Sequence, residues 1–352
     1  MAKKTVFILG AGFSYDAGIP LQAALLKEAL TITPPVFTYN NPEAISFMEY
    51  QKKLKDFINN LFGSLDNVAL EDIFTILDKS VIGKERFKEY SWKELYEYRG
   101  YLVNLILQVL TIKLKDITNS SEKPYKKFAE KVIEIREKAG QKTDSLGIIS
   151  LNWDTLLELS LNKALTDSKD KKCRIDYCAY THHRDNTEVS HINLKSLGFY
   201  NIKVLKLHGS LNWLYCSNCG RLYVDDGNIG IEKIECNYCK SYTEKLYEEP
   251  LIITPTMIKE LHNLHIKNIW QNAFIEIQEA TDIYFIGYSL PYADFEFKYI
   301  LKKAIDKKSK ITVVLSKNDE TNGTNKRYQE FLGNSVKLYN GGFSDWISNN
   351  NI

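Results

Sequence analysis

The sequence predicts an α/β protein built on a Rossmann-like, doubly wound parallel sheet. Short apolar runs rich in β-branched residues recur along the chain, and stretches with helical spacing separate them. These runs are continuously apolar rather than alternating, which is typical of strands buried on both faces. The predicted strands are Thr5–Leu9, Leu146–Leu151, Val204–Leu207, Leu251–Thr254, Ile283–Tyr288, Ile311–Leu315 and Val336–Tyr339.

The overall composition excludes several classes of protein. The chain has 352 residues, of which 44% are hydrophobic, and a formal net charge of +2. A charge so close to neutral gives no basic surface for direct nucleic-acid binding. No apolar run approaches the roughly 18 residues that a membrane-spanning helix needs, and the N-terminal lysines lead straight into a strand without a signal peptide. We therefore expect a cytoplasmic protein.

A glycine-rich turn follows the first predicted strand. Residues 10–20 read GAGFSYDAGIP and precede a helix-like run. Backbone N–H groups at such a strand-to-helix turn can bind a pyrophosphate. Gly10 and Gly12 match the first two glycines of the dinucleotide fingerprint, but Tyr15 stands where the third belongs. A glycine pair alone also fits a simple tight turn, whereas the complete string is much rarer.

Polar residues follow two further predicted strands. Asn152 and Asp154 come directly after the strand that ends at Leu151, and His208 follows the strand that ends at Leu207. The carboxyl ends of strands are where open α/β sheets bind ligands, and a histidine titrates near neutral pH. The alternatives are an N-cap for the next predicted helix, from Asn or Asp, and a structural role for the histidine.

Four of the six cysteines have the spacing of a zinc site. Cys216, Cys219, Cys236 and Cys239 form a C-x2-C-x16-C-x2-C pattern. Each C-x-x-C pair places two thiolates on one tight turn, and two such turns complete a tetrahedral site. No open coordination position is indicated, so we expect structural zinc, with a redox dithiol as the alternative.

Two insertions interrupt the predicted sheet. Residues 41–140 have helical periodicity and are interpreted as a helical insertion against the cofactor edge of the sheet. Its aromatic stripe is interpreted as core rather than as a cofactor-binding surface. Residues 210–250, which contain the four cysteines, form the second insertion, a small zinc ribbon.

Taken in order, these motifs resemble those of the sirtuin family. The chain carries GAG-x-S-x-x-x-GIP, then Asn-x-Asp, then His-Gly, then the four-cysteine ribbon. A late Ile286–Leu290 element is similar to the family's Gly-Thr-Ser segment. The matches extend from residue 5 to about residue 316, so the resemblance implies a single sirtuin-like NAD-binding domain over residues 1–352.

The resemblance also implies a chemistry. A sirtuin-like site breaks the nicotinamide–ribose bond of NAD. The resemblance implies catalytic roles for Asn152, which would orient the ribose hydroxyls, and for His208, which would act as general base. It also implies that Asp154 holds the nicotinamide carboxamide. The residues implied to bind NAD are Gly10, Ala11, Gly12, Phe13, Ser14, Asp154, Gly287 and Ser289.

This sequence differs from the family mainly in the segments that bind the peptide substrate. The Asp-Phe-Arg that follows GIP in protein deacetylases is Leu21-Gln22-Ala23 here, and the Phe-Gly-Glu and Val-x-Pro segments are also missing. Because the NAD-facing motifs remain, water is the expected acceptor. The string FIGYSLP-x-x-D, from Phe285 to Asp294, resembles that of the bacterial sirtuin-like NADases of antiphage defence.

Three hypotheses follow. The leading one is an NAD glycohydrolase that depletes cellular NAD during infection. The second is an NAD-dependent protein deacylase, which the ribbon favours because many defence NADases lack zinc. The third is a non-catalytic module that binds NAD or ADP-ribose, and the presence of both Asn152 and His208 argues against it.

A toxic NADase requires control. The sirtuin-like elements occupy the chain from Thr5 to about Leu315, and the rest suffices for one helix and one strand, between Tyr328 and Phe343. We therefore expect a homo-oligomer with a separate protein partner, such as a DNA-translocase-type ATPase or an Argonaute-type sensor. The helical insertion is the expected contact surface.

Overall fold

The computed structural model describes most of the chain. The described residues are 3–33, 42–65, 68–117, 119–140, 142–167, 172–182, 198–224, 234–239, 247–259, 261–317, 319 and 323–349. Positions 41, 66, 67 and 118 of the predicted helical insertion and positions 225–233 and 240–246 of the predicted ribbon lie outside them.

Six helices separate the first two strands of the described chain, and seven consecutive strands follow the helix after the second one. The strands are β1 (Thr5–Leu9), β2 (Leu146–Ser150), β3 (Cys173–Asp176), β4 (Thr181–His182), β5 (Tyr200–Lys206), β6 (Gly209–Tyr215), β7 (Leu222–Val224), β8 (Ile234–Glu235), β9 (Tyr247–Ile252), β10 (Asp282–Ile286), β11 (Lys310–Val314) and β12 (Lys337–Tyr339). The helices are α1 (Ala11–Tyr15), α2 (Gln22–Thr31), α3 (Pro42–Phe62), α4 (Leu70–Gly83), α5 (Trp92–Lys115), α6 (Asn119–Ala139), α7 (Leu156–Asp167), α8 (Leu264–Glu279), α9 (Phe295–Ala304), α10 (Thr324–Leu332) and α11 (Phe343–Asn349).

The main sheet confirms the predicted fold class. Seven strands pair in the order β12-β11-β10-β1-β2-β5-β3, and every neighbouring pair is parallel. Successive side chains of a strand face opposite sides, and on β10 Tyr284 contacts Trp346 of α11 while Phe285 contacts Tyr328 of α10. Helices therefore cover both faces, as in a doubly wound sheet.

The strand order places a ligand crevice beside β1. The chain passes from β1 to β2 on one side, and later enters β10 on the other side. The connections after β1 and β10 therefore leave on opposite faces of the sheet, and a crevice opens at the carboxyl ends of these two strands. The polar residues that the sequence places after β1, β2, β5 and β10 all lie at this edge.

One predicted strand of the main sheet is wrong. The run Leu251–Thr254 does not join the parallel sheet, because β9 ends at Ile252 and pairs antiparallel with β6. It belongs to a second sheet of order β4-β7-β6-β9-β8. The sequence did not predict β3, which forms an edge strand of the main sheet. Its residues are buried alternately, so it contains no continuous apolar run.

The helical insertion has two parts with different packing. In α3 and α5, Phe57 stacks on Tyr98 with ring centroids 4.6 Å apart, so the aromatic stripe is core, as the sequence predicts. Helix α6 instead packs on the main sheet, where Phe128 meets Phe7 edge-on at 5.1 Å. None of the described helices is long and apolar enough to cross a membrane.

The described chain ends with one more helix than the sequence predicts. One helix and one strand were expected between Tyr328 and Phe343, and these are α10 and β12. Beyond them, α11 packs on α6 through Phe343, whose ring lies 5.1 Å from that of Tyr125. Short amphipathic helices of this kind carry little periodic signal, because seven residues make only two turns.

Candidate active site

A cavity of about 580 Å³ opens at the carboxyl edge of the main sheet. Eight of the ten predicted catalytic and NAD-binding residues line it, and these are Gly10, Ala11, Gly12, Asn152, Asp154, His208, Gly287 and Ser289. Phe13 and Ser14 do not line it. Phe13 is a core residue that packs on Tyr125 and Phe343, whereas Ser14 is buried directly behind the cavity wall.

Two glycine turns interlock at one wall of the cavity. The Gly12 N–H donates to the Gly287 carbonyl at 2.8 Å, and the Gly10 N–H donates to the Ile286 carbonyl at 3.0 Å. A Cβ on Gly10 would lie 2.6 Å from the Gly287 carbonyl oxygen, and one on Gly12 would lie 2.8 Å from the Gly287 Cα. Only glycine allows the turns after β1 and β10 to approach this closely.

Gly287 is constrained twice. Its φ of +62° is in the left-handed region that favours glycine, and a Cβ there would lie 2.1 Å from the Phe13 backbone nitrogen. The Phe13 N–H is itself bonded to the Gly10 carbonyl at 2.9 Å. The N–H groups of Gly12 and Phe13 are thus hydrogen-bonded within the protein and are not free to bind a ligand. The role of this turn is to let the two backbones approach closely.

Asn152, Asp154 and Ser14 form one hydrogen-bonded group. The Ser14 hydroxyl donates to Asp154 Oδ2 at 3.0 Å. The Asn152 amide donates to the Gly10 carbonyl at 3.0 Å and to the Ser14 Oγ at 3.3 Å. All three side chains are buried. The glycine turn and the strand-end polar pair, which are far apart in sequence, therefore hold each other in place.

Asp154 also caps a helix, so the two interpretations of this residue are compatible. Its Oδ1 accepts from the Leu156 N–H at 3.1 Å, at the start of α7. Its backbone carbonyl accepts from the ammonium of Lys206 at 2.6 Å, and Lys206 in turn lies 3.1 Å from Glu158. Lys206 is completely buried, and it fixes the backbone of the cavity wall from behind.

His208 lies between the two sheets, in the turn from β5 to β6. Its carbonyl accepts from the Ile253 N–H at 2.9 Å, and its Nδ1 is 3.1 Å from the Leu151 carbonyl. A carbonyl only accepts hydrogen bonds, so Nδ1 carries the proton and the lone pair of the neutral ring is on Nε2. Burial lowers the pKa of His208 below its ordinary value, and the nearby Asp294 opposes that shift.

Three charged residues for which the sequence predicts no role also lie at this cavity. Asp294 places Oδ1 3.6 Å from His208 Nε2. Glu71, in the first turn of α4, lines the cavity, and burial raises the pKa of its carboxyl. Among the described residues that line the cavity, Arg327 is the only lysine or arginine, and its Nε donates to the Ser289 carbonyl at 3.2 Å. Asp294 ends the quoted FIGYSLP-x-x-D string, but Glu71 and Arg327 carry no motif.

The four predicted cysteines lie together as a metal site requires. Their Sγ atoms lie within 4.8 Å of one another, with 3.9 Å between Cys216 and Cys239 and 3.7 Å between Cys219 and Cys236. A tetrahedral zinc with Zn–S bonds of about 2.3 Å places its sulfurs about 3.8 Å apart. The side-chain amide of Asn218 donates to Cys239 Sγ at 3.4 Å, which favours a thiolate. The cluster therefore fits structural zinc.

The zinc ribbon is joined to the rest of the protein by a histidine. His265, in the first turn of α8, places Nε2 2.9 Å from the Gly220 carbonyl at the first cysteine turn. The cysteines form their own small hydrophobic cluster with Leu214 and Tyr223, separate from the main core. No cysteine of the cluster lines the cavity, so the metal has no access to a ligand there.

We expect Gly287→Ala to destabilise the protein more than Gly140→Ala. Both glycines have positive φ, which costs other residues roughly 1–2 kcal/mol, but a Cβ on Gly140 meets nothing within 4 Å. Only the Gly287 substitution adds a backbone clash. Urea unfolding of the two variants measures the difference, and equal losses of unfolding free energy would contradict the interlocked turns.

We expect one zinc per chain, and Cys216→Ser should lower both zinc content and melting temperature because a structural site contributes folding energy. Cys173→Ser is the matched control, since Cys173 is also buried but lies outside the cluster. Elemental analysis after purification without chelator measures the metal. Absence of zinc from the wild-type protein would rule out the ribbon.

No family model matches this sequence, and no curated protein matches it. Solved structures similar to the chain include a Sir2 homologue in complex with NAD, with a TM-score of 0.44 and 15% identity, covering 98% of this chain and 86% of that one. A mutant Sir2 homologue with ADP-ribose has a TM-score of 0.41 and 16% identity, covering 98% and 89%. Sir2 bound to an acetylated peptide has a TM-score of 0.41 and 13% identity, covering 98% and 90%.

Proposed function

We propose that this protein is an NAD glycohydrolase that converts NAD and water to nicotinamide and ADP-ribose. The observation that carries the proposal is the single cavity on which the glycine turn, Asn152, Asp154 and His208 converge. In the resembling family, this set of residues breaks the nicotinamide–ribose bond. The cavity volume of about 580 Å³ is within the range of ligand pockets.

In this reaction the protein must bind the nicotinamide carboxamide, orient the ribose hydroxyls and accept a proton from water. When the glycosidic bond breaks, its electron pair leaves with neutral nicotinamide and positive charge develops on the ribose. Asp154 is assigned to the carboxamide of nicotinamide and Asn152 to the ribose hydroxyls. Water then attacks the anomeric carbon, and its proton passes to His208 Nε2, which is unprotonated in the neutral ring.

The negative pyrophosphate of NAD needs a positively charged side chain in the cavity. The cavity is lined by the carboxylates of Asp16, Glu71, Asp154, Asp294 and Asp319. A pyrophosphate would be repelled by them, and the glycine turn has few free amides. We assign Arg327, which is fixed beside Ser289, to the pyrophosphate.

The cavity wall beside His208 favours water over a peptide as acceptor. A peptide that adds as a strand needs an extended edge with unpaired backbone groups. Residues 289–294 form no strand, and the Asp294 N–H bonds back to the Pro291 carbonyl at 3.3 Å in a turn. The neighbouring Lys259 side chain is fully buried against this turn. A peptide would have to displace these contacts.

The second candidate is an NAD-dependent protein deacylase. The four-cysteine cluster favours it, because deacylases of the resembling family usually carry a zinc ribbon and many defence NADases do not. Both candidates use Asn152 and His208, and they differ in the acceptor.

The proposed biological role is antiphage defence in the bacterial cytoplasm, where NAD depletion halts an infected cell. Such an activity must be gated, and we propose a homo-oligomer that meets a separate partner, of the DNA-translocase ATPase or Argonaute type. We assign the partner contact to the helical insertion, whose exposed apolar side chains include Met48, Ile82 and Tyr96.

We expect His208→Ala to lower NAD cleavage by about two to four orders of magnitude, as loss of a positioned proton acceptor typically does. Asn152→Ala should also abolish most of the cleavage, because the ribose is no longer oriented for attack. Nicotinamide release is measured with and without an acetylated peptide, and melting temperature and zinc content serve as controls for folding. Near-normal cleavage by either variant would remove that residue from the mechanism. Cleavage that requires the peptide would favour the deacylase.

We expect the isolated protein to be an oligomer with low NADase activity that rises when the product of a neighbouring gene is added. Light scattering measures the mass, and nicotinamide release measures the activation. Because Met48 and Ile82 are exposed, Met48→Lys and Ile82→Lys should weaken association without unfolding the protein. A monomer that is fully active alone would contradict the gating proposal.

A further inference from the structure

His208 has one satisfied ring nitrogen and one unsatisfied one. Nδ1 is bonded to the Leu151 carbonyl, whereas Nε2 is buried and has no hydrogen-bond partner among the residues that the structure describes. The group that faces Nε2 is Asp294, whose Oδ1 is 3.6 Å away. That separation is too long for a hydrogen bond but short enough for strong attraction between an imidazolium and a carboxylate.

Asp294 is held in place by two other side chains. The Tyr288 hydroxyl donates to Oδ2 at 3.1 Å, and the Lys259 ammonium lies 3.0 Å from Oδ1. Lys259 is anchored in turn by the Ala293 carbonyl. Burial opposes ionisation of Asp294, but His208 and Lys259 together lower the pKa of its carboxyl below the ordinary value.

We propose that Asp294 is a positioning residue for His208: its carboxylate faces Nε2, raises the proton affinity of that nitrogen, and stabilises the imidazolium formed when His208 takes a proton. Lys259 sets the strength of this effect by neutralising part of the Asp294 charge. The proposal rests on the proposed function for the source of the proton, which is the attacking water. The proton leaves Nε2 for solvent when the products depart.

The two charged partners act on His208 in opposite directions. The carboxylate of Asp294 favours the protonated ring, and the ammonium of Lys259 disfavours it. The titratable groups on the walls around His208 come from the segment after β2, α4, the segment after β9 and the segment after β10. Those that line the cavity are Asp154, Glu71, Tyr288 and Asp294, and Lys259 lies behind this lining, paired with Asp294.

Opposite pKa shifts in two variants test the proposal directly. Asp294→Asn removes the carboxylate but keeps the Lys259 charge nearby and should lower the pKa of His208, while Lys259→Met removes the ion pair of the carboxylate and should raise it. An opposite charge at this range typically shifts a pKa by about one to three units. NMR titration of labelled histidine side chains measures both shifts without any substrate, and His208→Asn identifies the signal among the six histidines.

A matched control removes a different paired carboxylate. Asp144 is 2.8 Å from Lys4 and 2.6 Å from Lys203, and it is not among the residues that line the cavity, so Asp144→Asn should leave the pKa of His208 unchanged. If Asp294→Asn does not fold, Lys259→Met still requires an upward shift. Unchanged pKa values in both variants, or shifts of the same sign, would overturn the proposal.

Kinetics separate this proposal from the proposed function. A general base must be neutral, so the acid limb of NAD cleavage should move to lower pH in Asp294→Asn and to higher pH in Lys259→Met. We expect kcat of Asp294→Asn to fall by about ten- to a hundredfold with KM for NAD little changed. The predicted NMR shifts without any NAD cleavage would defeat the proposed function, whereas cleavage without the NMR shifts would defeat the role of Asp294.

Discussion

The close approach of two backbone turns determines the shape of the active-site cavity. The turns after β1 and β10 bond to each other through Gly12 and Gly287, at a separation that leaves no room for a Cβ. The carbonyl of Gly10 in the first turn then accepts from Asn152, which joins the end of β2 to the same unit. Three parallel strands of the sheet are thus linked at their carboxyl ends, and the polar side chains there have fixed positions.

A second set of contacts ties the other side of the cavity to the helical insertion. Asp78 of α4 accepts from Thr254 at 2.6 Å and from Arg99 of α5 at 2.6 Å, and Thr75 accepts from the Met257 N–H at 3.0 Å. These bonds fix the segment that carries Lys259 against Asp294. The insertion therefore helps to build the surroundings of His208, and a partner that moved α4 and α5 would disturb the charges around this histidine.

Much of the fold and part of the site could be predicted from the sequence. Buried parallel strands such as β1 and β2 are continuously apolar, and the cysteine spacing already contains the geometry of the zinc ribbon. Glu71 and Arg327 could not be found, because isolated charged residues on helices have no local pattern, and only tertiary packing brings them to the cavity. Asp294 lay within a quoted motif, but its function depends on Lys259 and His208, which are distant in sequence. The strand at Leu251–Thr254 was misassigned because an apolar run does not specify which of two sheets it joins.

The proposed function depends on water, rather than a peptide, accepting the ADP-ribosyl group. This step is tested most directly by incubating the activated protein with NAD, with and without an acetylated peptide, and measuring the mass of the products. We expect unacylated ADP-ribose in the absence of peptide, at a rate that the peptide does not raise. Release of nicotinamide only when peptide is present, with the acyl group transferred to ADP-ribose, would contradict it.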